Sequence, residues 1–199
     1  ISSMANVLKK NKNIKLVFLG TKHPNDDVPA MEETEIARSL ATELKLINKN
    51  VFFLDGWLPY AERTGYLIRA DLAIYAHKPS IEARFSHRTR VLDHILMNIP
   101  TLATRGDYLS EYLEDRGMAV CVSPLDVSDF SSKLKELVEN PGQVKQMRQA
   151  IEEHKTEFTW SNTLKELVDF MDNEITAKPY QERASVREST VLSNGFIST

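Results

Sequence analysis

The feature that most constrains the fold is an alternation of short apolar segments with longer amphipathic ones. Five apolar segments, each ended by glycine, proline or polar residues, are typical of strands: 14–20, 50–57, 71–77, 100–104 and 119–124. Segments with helical periodicity lie between and after them: 31–46, 60–70, 88–98, 108–117, 127–140, 144–158 and 160–175. Asp107 is expected to cap the helix at 108–117. Strands joined by such connections run parallel, with right-handed crossovers. The pattern predicts an α/β fold, a doubly wound parallel sheet with helices on both faces.

The chain has the length of one ordinary domain followed by a short appendage. Of its 199 residues, 42% are hydrophobic, which is enough for a packed core. We predict one domain over residues 1–175. Residues 176–199 are rich in Ser and Thr and lack helical periodicity, so we predict a flexible tail or linker there. A helix-like segment is already under way at the first residue, and we expect the chain to be a fragment.

Charge and cysteine content narrow the classes of partner. A net charge of −3 argues against general binding to nucleic acid or to anionic membranes. No apolar run reaches the ~18 residues of a membrane span. The single cysteine, Cys121, excludes an intrachain disulfide and is expected to be a buried strand residue. We therefore expect a cytoplasmic protein.

Positive charge is concentrated in the segment EARFSHRTRVLD, residues 82–93. A helix beginning near Arg88 would carry Thr89 and Arg90 in its first turn, and Ser86 could cap it or donate a hydrogen bond to an oxygen atom. Helix N-termini bind phosphate, and arginine pairs phosphate through two parallel hydrogen bonds. The segment also follows a predicted strand, at the sheet edge where such folds bind ligands. The pattern favours a diphosphate site, although Arg84 could also face water or pair with Glu82.

Three further side chains could bind a nucleoside. Asp93 lies one turn further along the same predicted helix, where it could accept hydrogen bonds from a ribose diol or pair with Arg90. Trp57 and Tyr60 follow the second predicted strand and could stack on a base or pack in the core. The sequence leaves these alternatives open.

Other classes of site lack their motifs. Four histidines fall near the predicted edge, but their spacing does not match that of metal ligands, so we expect no metal: His23, His77, His87 and His94. The sequence contains neither G-x-G-x-x-G nor a P-loop, so neither a dinucleotide fold nor a P-loop NTPase is indicated. It also lacks the G-x-S-x-G motif of α/β-hydrolases.

Two long segments resemble a known family. Residues 50–86, NVFFLDGWLPYAERTGYLIRADLAIYAHKPSIEARFS, have that family's order of strand, glycine turn, helix, strand and acidic loop. Residues 93–141, DHILMNIPTLATRGDYLSEYLEDRGMAVCVSPLDVSDFSSKLKELVENP, have its helix, proline, strand and terminal helices. The chain thus resembles, over residues 5–172, the C-terminal, nucleotide-sugar-binding domain of GT-B fold retaining glycosyltransferases of the group 1, or family four, type.

The resemblance implies roles for particular residues. The family has two glutamates eight positions apart, the second of them seven residues before a proline. Asp93, seven residues before Pro100, matches the second and would accept hydrogen bonds from the donor ribose. Glu82 matches the first, which contacts the transferred sugar, but it lies eleven residues before Asp93. The implied catalytic residues are Glu82 and Arg88. The implied diphosphate and sugar contacts are Ser86, Arg88, Thr89, Arg90 and Lys22, and the nucleoside contacts are Gly56, Trp57, Tyr60 and Asp93.

The resemblance also implies an activity. The full-length enzyme would transfer a hexose, with retention, from a nucleotide diphosphate sugar to a glycan or lipid-linked acceptor in surface polysaccharide biosynthesis. The acceptor would bind through an N-terminal domain that, like the first strand of this domain, is expected to be missing here, so the fragment alone would be inactive. No cofactor is implied. The enzyme would be cytoplasmic or peripheral to the inner face of the membrane. The alternatives are a nucleotide-sugar epimerase of the same fold and a non-catalytic α/β interaction module.

Overall fold

The computed structural model describes residues 1–25, 27–29 and 31–172. The chain divides into two compact units, the first comprising Ile1–Thr156 and the second beginning at Glu157. The predicted tail at 176–199, the domain boundary before it and the end of the last predicted helix lie outside the described residues. Among the helices that are described, none is long and apolar enough to cross a membrane.

The five predicted strands are all present and all pair in parallel, which confirms the α/β prediction. They are β1 (Leu16–Leu19), β2 (Val51–Leu54), β3 (Ala73–Tyr75), β4 (Thr101–Thr104) and β5 (Ala119–Val122). They form two sheets: a two-stranded sheet, β1-β2, and a three-stranded sheet, β3-β4-β5. Within the described residues, β1, β2, β3 and β5 therefore each have one edge without a partner strand, and only β4 is paired on both edges.

Helices connect the strands close to where the periodicity predicts them. Those of the first unit are α1 (Ser2–Leu8), α2 (Glu32–Glu43), α3 (Tyr60–Leu67), α4 (Ile81–Phe85), α5 (Thr89–Leu96), α6 (Tyr108–Asp115), α7 (Val127–Glu139) and α8 (Pro141–His154). A 3₁₀ turn (Lys155–Phe158) follows, and the second unit contains α9 (Trp160–Thr163) and α10 (Lys165–Asp172). The short helix α4 was not predicted, because it lies in the segment interpreted as a loop. The last predicted helix is divided into α9 and α10.

Two hydrophobic clusters lie beneath the two sheets, and α1 contacts both. Met4 packs with Val51 of β2, whereas Val7, one turn later, packs with Leu102 of β4. α1 also lies against α7, where the Ser3 hydroxyl donates to the Val127 carbonyl oxygen at 3.4 Å. The first helix therefore joins the two sheets into one compact unit.

Local capping fixes where the helices begin at the carboxyl ends of the strands. After β4, the Asp107 carboxylate accepts a hydrogen bond from the Ser110 N–H at 2.8 Å, which confirms the predicted cap of α6. After β3, the Ser80 hydroxyl accepts from the Ala83 N–H at 2.9 Å and starts α4. The segments that leave the three-stranded sheet therefore enter helices at Ser80 and Asp107, and these turns form the carboxyl edge of that sheet.

Candidate functional site

The segments that follow β3, β4 and β5 converge at one edge, because parallel strands bring their carboxyl ends together. Between these segments lies a cavity of about 200 Å³. Its walls come from the chain after β3, from α4, from the turn after β4 and from Pro124. Full ligand pockets have volumes of roughly 300–1,000 Å³, so this cavity can hold only part of a nucleotide sugar.

Arg88, the predicted diphosphate ligand, lies at this edge but is paired. Its Nη2 atom is 3.0 Å from Glu82 Oε2, with 23% of the arginine side chain and 69% of the glutamate side chain exposed. The expectation that Arg84 could pair with Glu82 is not met, because Glu82 pairs with Arg88 instead. The Arg88 Nε atom is buried and has no hydrogen-bond partner in the part of the chain that the structure describes. The two implied catalytic residues are therefore in direct contact.

The N-terminus of α5 carries the remaining predicted phosphate ligands. Arg88 occupies the N-cap position of α5, and no side chain among the described residues caps this helix, so within them the first-turn N–H groups lack a side-chain acceptor. Thr89 and Arg90 are exposed in that first turn, and Arg90 has no ion pair or hydrogen bond within the part of the chain that the structure describes. Ser86 does not cap α5, because it terminates α4 two residues before α5's N-cap. Its hydroxyl is buried and has no partner among the residues that are described.

Asp93 has partners that the sequence did not predict. Its Oδ2 atom is 3.0 Å from Arg63 Nη2, and its Oδ1 atom lies 3.4 Å from the Tyr60 hydroxyl. The Arg63 guanidinium also lies over the Tyr60 ring, 4.9 Å from its centroid. Of the two alternatives that the sequence left open for Asp93, the pairing with Arg90 is not formed among the described residues. Tyr60 and Arg63 lie on α3, which follows β2, and Asp93 lies on α5, which follows β3, so this cluster joins the connections that leave the two sheets.

The segment after β2 presents the other predicted nucleoside contacts. Trp57 and Tyr60 are 69% and 56% exposed, so neither packs in the core. Gly56 adopts a φ of 91°, a conformation that favours glycine, and the space beside its Cα is open. Trp57 meets the His23 ring edge to face at 6.1 Å. An exposed indole beside an open glycine turn is suited to stacking on a base.

The predicted phosphate ligand Lys22 lies close to Asp55, at the carboxyl ends of β1 and β2. The Thr21 hydroxyl donates to Asp55 at 2.5 Å and Arg38 pairs with the same carboxylate at 2.6 Å. The hydrogen bond from Thr21, followed by the charges of Arg38 and Lys22, lowers the pKa of Asp55. The positive charge at this end of the two-stranded sheet is thus balanced by a carboxylate.

His77, His94 and Cys121 are each wholly or partly buried, and burial shifts the pKa of all three. His77 lines the cavity, and its pKa is lowered by burial first and then by Arg88. Burial lowers the pKa of His94 to about 4, and its Nδ1 atom lies 3.3 Å from the Thr101 hydroxyl. Cys121 is buried in β5, as predicted, and burial raises its pKa to about 12. No group of three His, Cys, Asp or Glu side chains in residues 1–25, 27–29 and 31–172 is placed to hold a metal ion.

Sequence reasoning missed Arg63 and the cavity. A signal for Arg63 was present, because it lies three residues after Tyr60 on a predicted helix, a spacing that places two side chains on one face. No comparable signal exists for the cavity, whose walls come from segments up to 47 residues apart, from His77 to Pro124. Such a site exists only after the sheet has formed.

Neither protein-family models nor curated protein sequences gave a match to this chain, whereas solved structures did. One is the C-terminal domain of a glycosyl transferase group 1 family protein (LpcC) from Francisella tularensis. It has 17% identity and a TM-score of 0.63, over 80% of this chain and 77% of that one. Another is Alr3699/HepE from Anabaena in complex with UDP, with 10% identity and a TM-score of 0.64, over 87% of this chain and 44% of that one. A third is WaaG, a glycosyltransferase involved in lipopolysaccharide biosynthesis, with 14% identity and a TM-score of 0.54, over 85% of this chain and 50% of that one.

These similarities define the fold. The parallel sheets with flanking helices have the Rossmann-like architecture of the C-terminal domains of GT-B glycosyltransferases. At this level of identity the likeness concerns the fold alone, and function has to be argued from the site. The chain spans about half of the length of Alr3699/HepE and of WaaG.

Proposed function

We propose that this chain is the donor-binding domain of a glycosyltransferase and binds a nucleoside diphosphate sugar at the carboxyl edges of its two sheets. The observation that carries the proposal is the contact of Asp93 with Tyr60 and Arg63, which joins the two sheet edges beside the uncapped N-terminus of α5. A carboxylate, exposed aromatic rings and a positively charged helix start lie together there. These groups match the ribose, the base and the diphosphate of such a donor.

The diphosphate would bind at the start of α5. Arg90 is unpaired within the described residues, and the first-turn N–H groups of α5 lack a side-chain acceptor. Arg88 has five N–H donors and uses one on Glu82, so it can bind a phosphate oxygen and keep that contact. Positive charge fixed at this point would stabilise the negative charge that develops on the leaving diphosphate. In this proposal no metal or organic cofactor is needed for that step.

The transferred sugar would lie near Glu82 and the cavity. Glu82 is 69% exposed and held by Arg88, so its carboxylate has remaining positions for sugar hydroxyls. Base and sugar would thus occupy opposite sides of the α5 N-terminus. Lys22, Ser86 and Thr89 complete the proposed contacts to the donor, together with the open turn at Gly56.

The wider proposals concern the whole protein. By analogy with enzymes of this fold, we propose that a hexose is transferred with retention to a glycan or lipid-linked acceptor, which binds through an additional N-terminal domain. A structural neighbour that takes part in lipopolysaccharide biosynthesis supports a role in surface polysaccharide synthesis. Another structure of Alr3699/HepE holds UDP and glucose, which supports a hexose donor. We further propose a cytoplasmic enzyme, or one bound peripherally to the inner face of the membrane, whose isolated donor domain is inactive.

Thermal unfolding with nucleotides tests the donor site. We would measure the wild type with UDP, GDP, ADP, CMP and their sugar conjugates. A ligand at a hundred times its dissociation constant stabilises the folded state by ~2.7 kcal/mol. We expect one base to raise the unfolding temperature, and Arg88→Gln and Arg90→Gln to reduce that shift. Arg69→Gln is the matched control, because Arg69 is exposed just beyond α3 and its side chain has no partner among the described residues.

The outcomes separate the proposal from its alternatives. The absence of a shift with every nucleotide would contradict the donor site and favour an interaction module. A shift accompanied by epimerisation of the bound sugar, without any acceptor, would favour an epimerase of the same fold. If Arg69→Gln reduced the nucleotide-induced shift of the unfolding temperature as much as Arg88→Gln and Arg90→Gln, the arginines would act through overall charge rather than at a site.

A further inference from the structure

The Asp93 carboxylate contacts two side chains of α3, the helix that follows β2 of the two-stranded sheet. Arg63 Nη2 lies 3.0 Å from one carboxylate oxygen and the Tyr60 hydroxyl lies 3.4 Å from the other. The Asp93 side chain is 15% exposed and that of Arg63 is 33% exposed. The contact is therefore partly shielded from water, which strengthens it relative to a surface ion pair.

The two holding groups also support each other. Tyr60 and Arg63 are three residues apart on α3, so they share one face of that helix. The guanidinium stacks over the Tyr60 ring at 4.9 Å while its Nη2 atom reaches Asp93. Arg63 thus contacts both other members of the cluster, and its removal would release Asp93 from its charged partner and Tyr60 from its cation.

An aspartate needs this support if it is to bind a ribose. Its terminal torsion is broad, so an isolated carboxylate samples many orientations. A carboxylate has about four acceptor positions, and Arg63 and Tyr60 occupy one on each oxygen. One acceptor position therefore remains on each oxygen, and its direction is fixed in space. A ribose 2′,3′-diol requires two acceptors, one for each hydroxyl. Preorganisation of this kind raises affinity because less orientation is lost on binding.

We propose that Arg63 is a positioning residue that orients the Asp93 carboxylate to accept hydrogen bonds from the ribose 2′- and 3′-hydroxyls of a nucleoside diphosphate. The inference rests on the proposed donor site and adds to it Arg63, a residue of α3, the helix after the two-stranded sheet's β2. Arg63 acts here through Asp93 and not through the phosphates. Its effect should therefore depend on whether the ligand carries a ribose hydroxyl.

The test compares ribose with deoxyribose by titration calorimetry on the full 199-residue chain. The probes are UDP and 2′-deoxyuridine 5′-diphosphate, with the matching guanosine and adenosine pairs if the base is not uridine. A hydrogen bond to a charged group changes affinity by about tenfold or more, so we expect the wild type to prefer the ribonucleotide by about that factor. Arg63→Gln should reduce this preference to about threefold or less, mainly through weaker ribonucleotide binding, and Arg63→Lys should lie between them.

Controls distinguish positioning from damage to the fold. Asp93→Asn should lose the same preference as Arg63→Gln, whereas the exposed Arg69→Gln should keep that of the wild type. The unfolding temperature of each variant without ligand shows whether it is folded. Where Arg63→Gln unfolds, Arg63→Lys keeps the charge and provides the measurement.

The possible results separate the role of Arg63 from the existence of the donor site. Wild-type binding of UDP with an unchanged ribose preference in Arg63→Gln would overturn the role of Arg63 and leave the donor site intact. Equal weakening of both nucleotides in Arg63→Gln would assign the arginine to phosphate binding or to the fold. A wild type that binds ribose and deoxyribose equally would remove the diol from Asp93. No binding of any nucleotide would overturn the donor site and this inference together.

Discussion

The two sheets of the first unit differ in burial, although the strands of both are short and largely apolar. Every residue of β4 is buried, because this strand has a partner on each edge and helices cover its faces. β1 is the more apolar of the two strands, LVFL against TLAT, yet none of its residues is fully buried and Val17 is 43% exposed. An apolar run predicts a strand, but the strand's place in its sheet decides how much of it leaves water.

The contacts between the sheets differ from those within them. At the carboxyl edges the two sheets meet through ion pairs, Arg63 with Asp93 and Lys78 with Glu33. Beneath them, α1 joins the two hydrophobic clusters through Met4 and Val7. The apolar contacts hold the unit together, and the polar ones shape the cleft in which we propose that the donor binds.

The largest expected effect comes from equal truncations in the two sheets. Leu102→Ala in β4 removes a fully buried side chain and should lower the free energy of unfolding by about 3 kcal/mol or more. Leu16→Ala in β1 removes a partly buried one and should cost roughly 1–2 kcal/mol. Urea denaturation measures both. Equal losses would show that the two sheets are equally packed, contrary to the comparison.

The second largest effect is expected from acidification, which should destabilise the three-stranded sheet because His94 lies against β4. Burial lowers its pKa to about 4, below its ordinary value of 6.5, so the unfolded chain takes up a proton before the folded one does. The free energy of unfolding should therefore fall as the pH decreases from about 6.5 to 4, by on the order of 2–3 kcal/mol, and should level off below that for this group.

Denaturation curves at several pH values, for the wild type and for His94→Gln, measure this contribution. The variant keeps a polar group near Thr101 but cannot titrate, so its curve should be flatter between pH 6.5 and 4. His77, whose pKa is also lowered by burial, contributes with the same sign and should leave a smaller slope. An unchanged slope in His94→Gln would show that this histidine is not the source.

The smallest expected effect concerns the ion pair of Lys78 with Glu33, which spans the two sheets at 2.9 Å. Both side chains are largely exposed, and such pairs contribute little to stability. Lys78→Ala should leave the urea midpoint unchanged within error, as should Lys165→Ala, which breaks a similarly exposed pair in α10. A clear, salt-sensitive loss for Lys78→Ala alone would mean that this ion pair helps to hold the sheets together.

The sequence alone determined the fold class and the start of the site. The alternation of short apolar segments with amphipathic ones predicted all five strands, because each strand is a compact apolar run ended by turn residues. It also placed Arg88, Thr89 and Arg90 at a helix start, and the structure begins α5 at Thr89. Asp107 was predicted to cap α6 and does so. These features depend on neighbours within a few residues, which a sequence displays directly.

Only the tertiary structure decided which side chains meet. Asp93 pairs with Arg63, thirty residues earlier, and Glu82 pairs with Arg88 rather than Arg84. The exposure of Trp57 and Tyr60, the cavity beside His77 and the division into two sheets were likewise open until the strands had paired. The physical reason is that periodicity shows which face of an element is apolar, whereas partners across elements depend on register and on the return path of the chain.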